Sequence, residues 1–113
     1  MEKDELRIET YAEFWDFYVL EHSKPATRYF HFVGTLLGIV LLFRFLRSGA
    51  YLYIPLCFAV GYAFAWFSHF FIEGNKPASF KYPLWSFISD YKMMFYMLLG
   101  KMDAELERVL NKK

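Results

Sequence analysis

Two stretches of this chain carry almost no charge, and their lengths limit what it can fold into. Tyr29–Phe43 contains no Lys, Arg, Asp or Glu, and it extends to Leu46 if Arg44 and Arg47 snorkel outward. At 1.5 Å per residue those 18 residues reach roughly 27 Å, close to the roughly 30 Å of a bilayer's hydrocarbon core. Gly49–Ile72 follows with 24 residues and no formal charge, roughly 36 Å as a helix, enough to cross with tilt. A soluble core helix of that length and composition would be unusual. The link from Arg44 to Gly49 is short, so the two helices form an antiparallel transmembrane hairpin. The expected fold class is an all-α integral membrane protein, a single domain over residues 1–113.

Composition agrees. Apolar types make up 57% of the chain, against about 45–50% in soluble domains. Aromatic residues are 23%, far too many for a disordered segment. A net charge of +1 offers no basic field, which argues against a nucleic-acid partner. The single cysteine, Cys57, excludes an internal disulfide and a cysteine-based zinc site.

Helices are expected over about 11–22, 29–46, 50–73, 83–99 and 102–111. Thr10 followed by Glu13 is a capping box for the first, whose Tyr11, Phe14, Trp15 and Tyr18 make one aromatic face. It is an N-terminal amphipathic helix that packs on the protein or lies in the membrane interface. Lys24-Pro25 forces a turn, and Pro55 predicts a kink near the start of the second long helix. Gly34/Gly38 and Gly61/Ala65 are small-xxx-small steps that let helix backbones approach closely.

The stretch around Leu84–Leu99 has an apolar stripe of Leu84, Phe87, Ile88, Tyr91, Phe95 and Leu98, with Ser86, Ser89 and Asp90 on the far side. Asp90 and Lys92 in its middle favour an interfacial helix over a third span. The N-terminal region is charged, which excludes a signal peptide. The string Lys3-Asp4-Glu5-Leu6 is a retention signal only at a C-terminus. Of the 13 basic residues, Arg44 and Arg47 lie in the hairpin turn and the rest share the side of the termini. The positive-inside rule then places both termini in the cytoplasm.

His22 closes the first helix, His31 opens the first span and His69 lies near the end of the second. In an antiparallel hairpin the start of one helix neighbours the end of the next, so all three meet at one face. His69 and Glu73 are spaced i, i+4, so the carboxylate can join or orient the imidazole. Neutral imidazoles with a carboxylate suit iron, zinc, manganese or copper, and a two-His-one-carboxylate set with open positions suits Fe(II) oxygen chemistry. Taken singly, an interfacial histidine is more commonly an amphipathic anchor. Met93, Met94, Met97 and Met102 read as packing, and Ser23, Ser68 and Ser79 lack a nucleophile elbow.

The residues framing this site carry a resemblance. Phe14-Trp15-Asp16-Phe17-Tyr18-Val19-Leu20-Glu21-His22 with His31-Phe32-Val33-Gly34-Thr35 resembles the first motif of the Mpo-like membrane proteins. Trp66-Phe67-Ser68-His69-Phe70-Phe71-Ile72-Glu73-Gly74-Asn75-Lys76-Pro77-Ala78 is similar to the second, and Tyr82–Asp90 to the stretch after it. The likeness spans about residues 14–100. It implies an Fe(II)-dependent dioxygenase that shortens 2-hydroxy fatty acids by one carbon through alpha-oxidation, with His22, His31 and His69 holding the iron and Glu73 matching the motif's glutamate. Longer members carry extra helices between the motifs and a doubled histidine where this chain has Glu21-His22. The short form resembles bacterial members and implies a bacterial inner membrane.

Two functions follow. In the first, His22, His31 and His69 bind Fe(II), or another divalent metal, with Glu73 as ligand or orienter. Open positions take O2 and a membrane lipid or fatty acid, and Arg28 pairs with the substrate carboxylate or with a lipid phosphate. In the second, the chain is no enzyme but a hairpin acting through helix–helix contacts, its Gly34/Gly38 and Gly61/Ala65 faces forming a homo-oligomer. A bis-histidine haem is a third arrangement, though no attachment motif for covalent haem is present.

Overall fold

The computed structural model describes residues 8–112, and every regular element among them is helical. The order is α1 (Tyr11–Glu21), α2 (Pro25–Ser48) and α3 (Tyr53–Ser68), which runs on into a wide π turn at His69–Glu73. A short 3-10 turn, Ala78–Phe80, leads to α4 (Pro83–Leu98) and α5 (Met102–Asn111). The string Lys3–Leu6 lies outside the described residues.

The start of α1 follows its capping signal. Thr10 is extended, and its hydroxyl accepts the Glu13 N–H at 3.2 Å. The Glu13 carboxylate reaches back to the Glu9 N–H at 3.3 Å, one residue further upstream than in a standard capping box. The turn expected at Lys24-Pro25 is present, with Lys24 extended between α1 and α2. Pro25 is the first residue of α2, where the missing N–H has no intrahelical partner to lose, so the helix begins four residues earlier than expected. Pro55 lies in the first turn of α3 for the same reason, and no hydrogen bond of the helix is broken there.

Glycines bring α2 and α3 together. A Cβ on Gly34 would stand 2.8 Å from Phe64 Cβ and 3.3 Å from Gly61 O, and one on Gly38 would stand 3.5 Å from Cys57 O. Residue numbers rise along one helix as they fall along the other, so the two run in opposite directions. The small-residue faces meet inside the chain.

Burial is uneven along this pair. The buried residues of α2 are Thr27, Arg28, His31, Gly34, Thr35 and Gly38, and none lies beyond Gly38. In α3 only Ala65 and Ser68 are buried. Leu36, Val40, Phe43 and Leu46 face outward, as do Phe58 and Phe67. Pro25–Ser48 and Tyr53–Glu73 are long and apolar enough to cross a membrane, and only 17% of the most apolar window of each is buried in the chain. The core helix of a soluble protein hides its apolar side; these two present it to the surroundings.

The dry core lies at the other end. Phe14, Trp15, Tyr18 and Val19 of α1 pack with Ala78, Met93 of α4, and Met102 and Val109 of α5. Trp15 stacks on Tyr18 at 5.6 Å between centroids and carries the Lys92 ammonium 4.2 Å above its ring. Its indole N–H donates to Glu105 at 2.8 Å, fastening α5. Helix α4 lies with its polar side in: Ser86, Ser89, Met93 and Met94 are buried while Leu84, Ile88, Phe95 and Leu98 face out.

Candidate metal centre

Three helical elements converge where α1 ends, α2 begins and α3 widens. His22 caps the C-terminus of α1, and the ring of Tyr18, one turn earlier, stacks on it at 4.0 Å between centroids. His22 Nδ1 lies 2.6 Å from Tyr18 O. His31 sits in α2 with Nδ1 3.0 Å from Thr27 O, again one turn earlier. His69 opens the π turn, and its Nδ1 lies 2.6 Å from Asn75 Oδ1.

These anchors fix the tautomers. A backbone carbonyl only accepts, so Nδ1 of His22 and of His31 carries the proton. Asn75 donates its amide N–H2 to Glu21 O at 3.3 Å, which turns its carbonyl oxygen toward His69 and gives that ring the same tautomer. Each Nε2 is then a bare lone pair. The Nε2 atoms of His22 and His31 are 3.0 Å apart, and those of His22 and His69 are 3.1 Å apart. The rings stand nearly perpendicular to one another, at 84°, 81° and 88°.

Three lone pairs facing one point cannot hydrogen-bond among themselves, and they repel unless a cation stands between them. Nitrogen ligands about 2.1 Å from a metal and set at right angles to it are about 3.0 Å apart, which is the spacing of His22 from each of the other two. The set fits a metal ion, its ligand atoms all lying within 4.8 Å of one another. Burial, followed by the neighbouring His31 and His69, holds the His22 pKa well below 6.5, so that ring is neutral and ready to ligate near neutral pH.

The π turn explains why Glu73 and His69 are not paired. Gly74 N–H donates to His69 O across five residues at 2.8 Å, and Asn75 N–H donates to the same carbonyl at 3.0 Å. The extra residue per turn breaks the i, i+4 alignment that sequence spacing assumes. Gly74 closes the turn at φ +82°, a conformation that favours glycine. The Glu73 carboxylate is held elsewhere, accepting from Ser23 Oγ and Thr27 Oγ1 at 2.6 Å each and from Lys24 N–H at 3.2 Å. It ties the α1–α2 linker to the π turn.

Arg28 is buried, and its guanidinium donates to the carbonyls of His22 and Ser23 at 2.8 and 3.0 Å and to Asp103 at 3.1 Å. It lines a hollow with Tyr29, Met97 and Asp103, separate from the cavity that His22, His31 and His69 line. That cavity also takes in Tyr18, Tyr62, Ser86 and Asp90. The Tyr18 hydroxyl donates to Asp90, whose carboxyl is pushed up to about 7 by burial, with the Tyr18 bond opposing. Ser86 Oγ is buried without a hydrogen-bond partner among the described residues. Sequence reading missed Asn75 and Ser86. Asn75 lies six residues beyond His69, outside any helical period, and Ser86 sits on the face of α4 that looked like the side away from the packing.

The fold and site together define an all-helical protein with two long apolar helices and a buried three-histidine group able to hold a metal ion. Residues 8–102 match the family described as 2-hydroxy-palmitic acid dioxygenase Mpo1-like, and the chain belongs to that family. No match was found among curated proteins or among solved structures.

Proposed function

We propose that this chain is an integral membrane dioxygenase that binds Fe(II) through His22, His31 and His69 and shortens 2-hydroxy fatty acids by one carbon. The single observation that carries the reading is the convergence of three unprotonated Nε2 atoms, each locked by an acceptor at Nδ1. The family description supplies the substrate class, and the outward apolar faces of α2 and α3 support a transmembrane hairpin with the histidine end and both termini on the cytoplasmic side.

The reaction balances with O2 as the only co-substrate. The C1–C2 bond breaks, C2 is oxidised to a carboxyl, C1 leaves as CO2, and water is released. Bound iron supplies redox contact between O2 and the substrate's 2-hydroxy-carboxylate. The chain itself does three things. Tyr18, Thr27 and Asn75 orient the imidazoles, in the way hydrogen-bond partners set ligand basicity and direction. Glu73 and Arg28 are positioning residues: the first holds the linker against the π turn, the second holds the carbonyls of His22 and Ser23. Burial of the rings excludes bulk water.

The test is elemental analysis of anaerobically purified protein beside His69→Ala, with 2-hydroxyhexadecanoic acid turnover followed by the shortened acid. Iron stoichiometric with the chain and lost in the variant, together with O2-dependent product, is the expected result. A folded wild-type protein that takes up no Fe(II) overturns it.

A further inference from the structure

The histidine cavity adjoins a groove in the seam between α4 and the α2–α3 pair: Tyr62 and Asp90 line both, and Thr35, Gly38, Cys57 and Phe87 wall the groove. That groove continues past Gly38 and Cys57 to Leu42 and Ile54. Thr35 to Leu42 is a rise of about 10 Å along α2, directed away from the histidines. The space between the walls is narrow, about 30 Å³ beside Tyr62 and about 110 Å³ nearer Leu42, and both parts open to the outside, so it is a slot rather than a chamber.

Missing side chains open this space. A Cβ on Gly61 would meet nothing closer than Gly34 O at 4.0 Å, and one on Gly38 would meet only Cys57 O at 3.5 Å. The walls are mostly apolar, with Thr35, Tyr62 and Asp90 toward the histidines and Tyr91 along both parts. At that polar end stands Ser86 Oγ, 4% exposed as a residue and without a partner among the described residues. A buried hydroxyl left unpaired is destabilising, and an incoming polar group would satisfy it.

We propose that the groove is the subsite for the alkyl chain of a single-chain fatty acid, the polar end meeting Ser86 beside the histidines and the chain running along Gly61, Cys57 and Gly38 toward Leu42. The assignment rests on the lipid-substrate reading above and adds where the chain lies and which end enters. One polar group at one end of an apolar slot matches a carboxylic acid with one tail. A two-tailed phospholipid needs a wider seat than a slot bounded by Phe87 and Cys57. Side chains at Gly38 and Gly61 set how far down the groove a chain can reach.

Cys57 is the only cysteine, and it lies in the groove wall, so it reports occupancy. The experiment measures the rate of N-ethylmaleimide labelling of Cys57 in phosphatidylcholine nanodiscs. Hexadecanoic acid, octanoic acid or hexadecanoic methyl ester is added, and turnover of 2-hydroxyoctanoic acid is assayed separately. Hexadecanoic acid at about ten times its Kd is expected to slow labelling about tenfold. Octanoic acid and the ester leave the rate unchanged, and Gly38→Ile abolishes the protection while iron stays stoichiometric. Unaltered labelling with hexadecanoic acid overturns the subsite, as does equal protection by the ester, which marks ordinary lipid packing. Turnover of the short acid without long-chain protection removes the groove and keeps the activity. Protection without turnover or iron does the reverse.

Discussion

The two ends of this molecule are held together by different means. Around α1, α4 and α5, aromatic and methionine side chains fill a dry core in which Phe14 and Val19 are fully buried. Helices α2 and α3 touch through glycine faces at Gly34, Gly38 and Gly61, and beyond Gly38 no residue of α2 is buried at all. The first region carries its own hydrophobic driving force. The second exposes Phe43, Leu46 and Tyr51 at 61%, 64% and 77%, and its apolar faces are left uncovered by the described residues. The histidine group sits at the seam, where one wall is the packed head and the other the glycine-spaced pair.

The contrast breaks most visibly under truncation. Phe14→Ala is expected to destabilise the protein by about 3–5 kcal/mol, since it empties the centre of the head. Phe43→Ala, in the exposed half of α2, changes detergent stability by no more than about 0.5 kcal/mol. Thermal unfolding in one detergent compares the pair, and equal losses would mean that the far end has a packed core after all.

Glycine substitutions sharpen the same contrast within α2. Gly34→Ala puts a methyl 2.8 Å from Phe64 Cβ and is expected to cost about 1–3 kcal/mol through displacement of α3. Gly38→Ala meets Cys57 O only at ordinary contact distance and is expected to be neutral or stabilising by up to about 1 kcal/mol, as alanine is the better helix former. The reverse order in urea or thermal titrations would show that the helices are packed differently.

At the seam, Asn75→Ala removes the acceptor on His69 and is expected to weaken metal binding about 10–100-fold without changing its stoichiometry at saturation. Glu73→Gln leaves the metal count unchanged, because the carboxylate bonds to Ser23, Thr27 and Lys24 rather than to an imidazole. Competitive chelator titration separates the two. Loss of the metal in Glu73→Gln alone would make the glutamate a ligand.

What the sequence could reveal followed from length and period. Uncharged runs marked α2 and α3, and the order of helices brought His22, His31 and His69 to one end. Which nitrogen each ring turns inward depends on Thr27, Tyr18 and Asn75, and a backbone carbonyl leaves no trace in residue identity. Spacing pointed from His69 to Glu73, but the π turn inserted a residue and handed the ring to Asn75. Arg28 illustrates another gap: a lone arginine near a site reads as a substrate clamp, yet its five N–H groups can equally tie down carbonyls, as here. The faces of α4 could not be oriented either. Periodicity separates the two faces of a helix without saying which one packs, so Ser86 and Asp90 were visible as residues and invisible as lining.

A small, salt-dependent effect belongs to the outer surface of the head, where α5 is tied to α1. Asp16 accepts from Arg108 at 2.9 Å and from Lys112 at 2.8 Å. Burial alone would raise its pKa, but the hydrogen bonds from Lys112 and Arg108 outweigh that and hold it below 3.8. A carboxyl depressed in the folded state stabilises fully above its unfolded value near 3.8, and the contribution disappears as pH falls through the lower folded value. Lys112 and Arg108 are 60% and 42% exposed, so solvent screening limits the network to about 0.5–1 kcal/mol at low salt. Asp16→Asn should lower Tm slightly at neutral pH in low salt. The difference should vanish in about 1 M salt, where the screening length is about 3 Å. It should also vanish in acid below the folded pKa. A penalty that persists in high salt would show that Asp16 acts through packing against Trp15 and the core, and that the head's outer surface is less distinct from its interior than the burial pattern indicates.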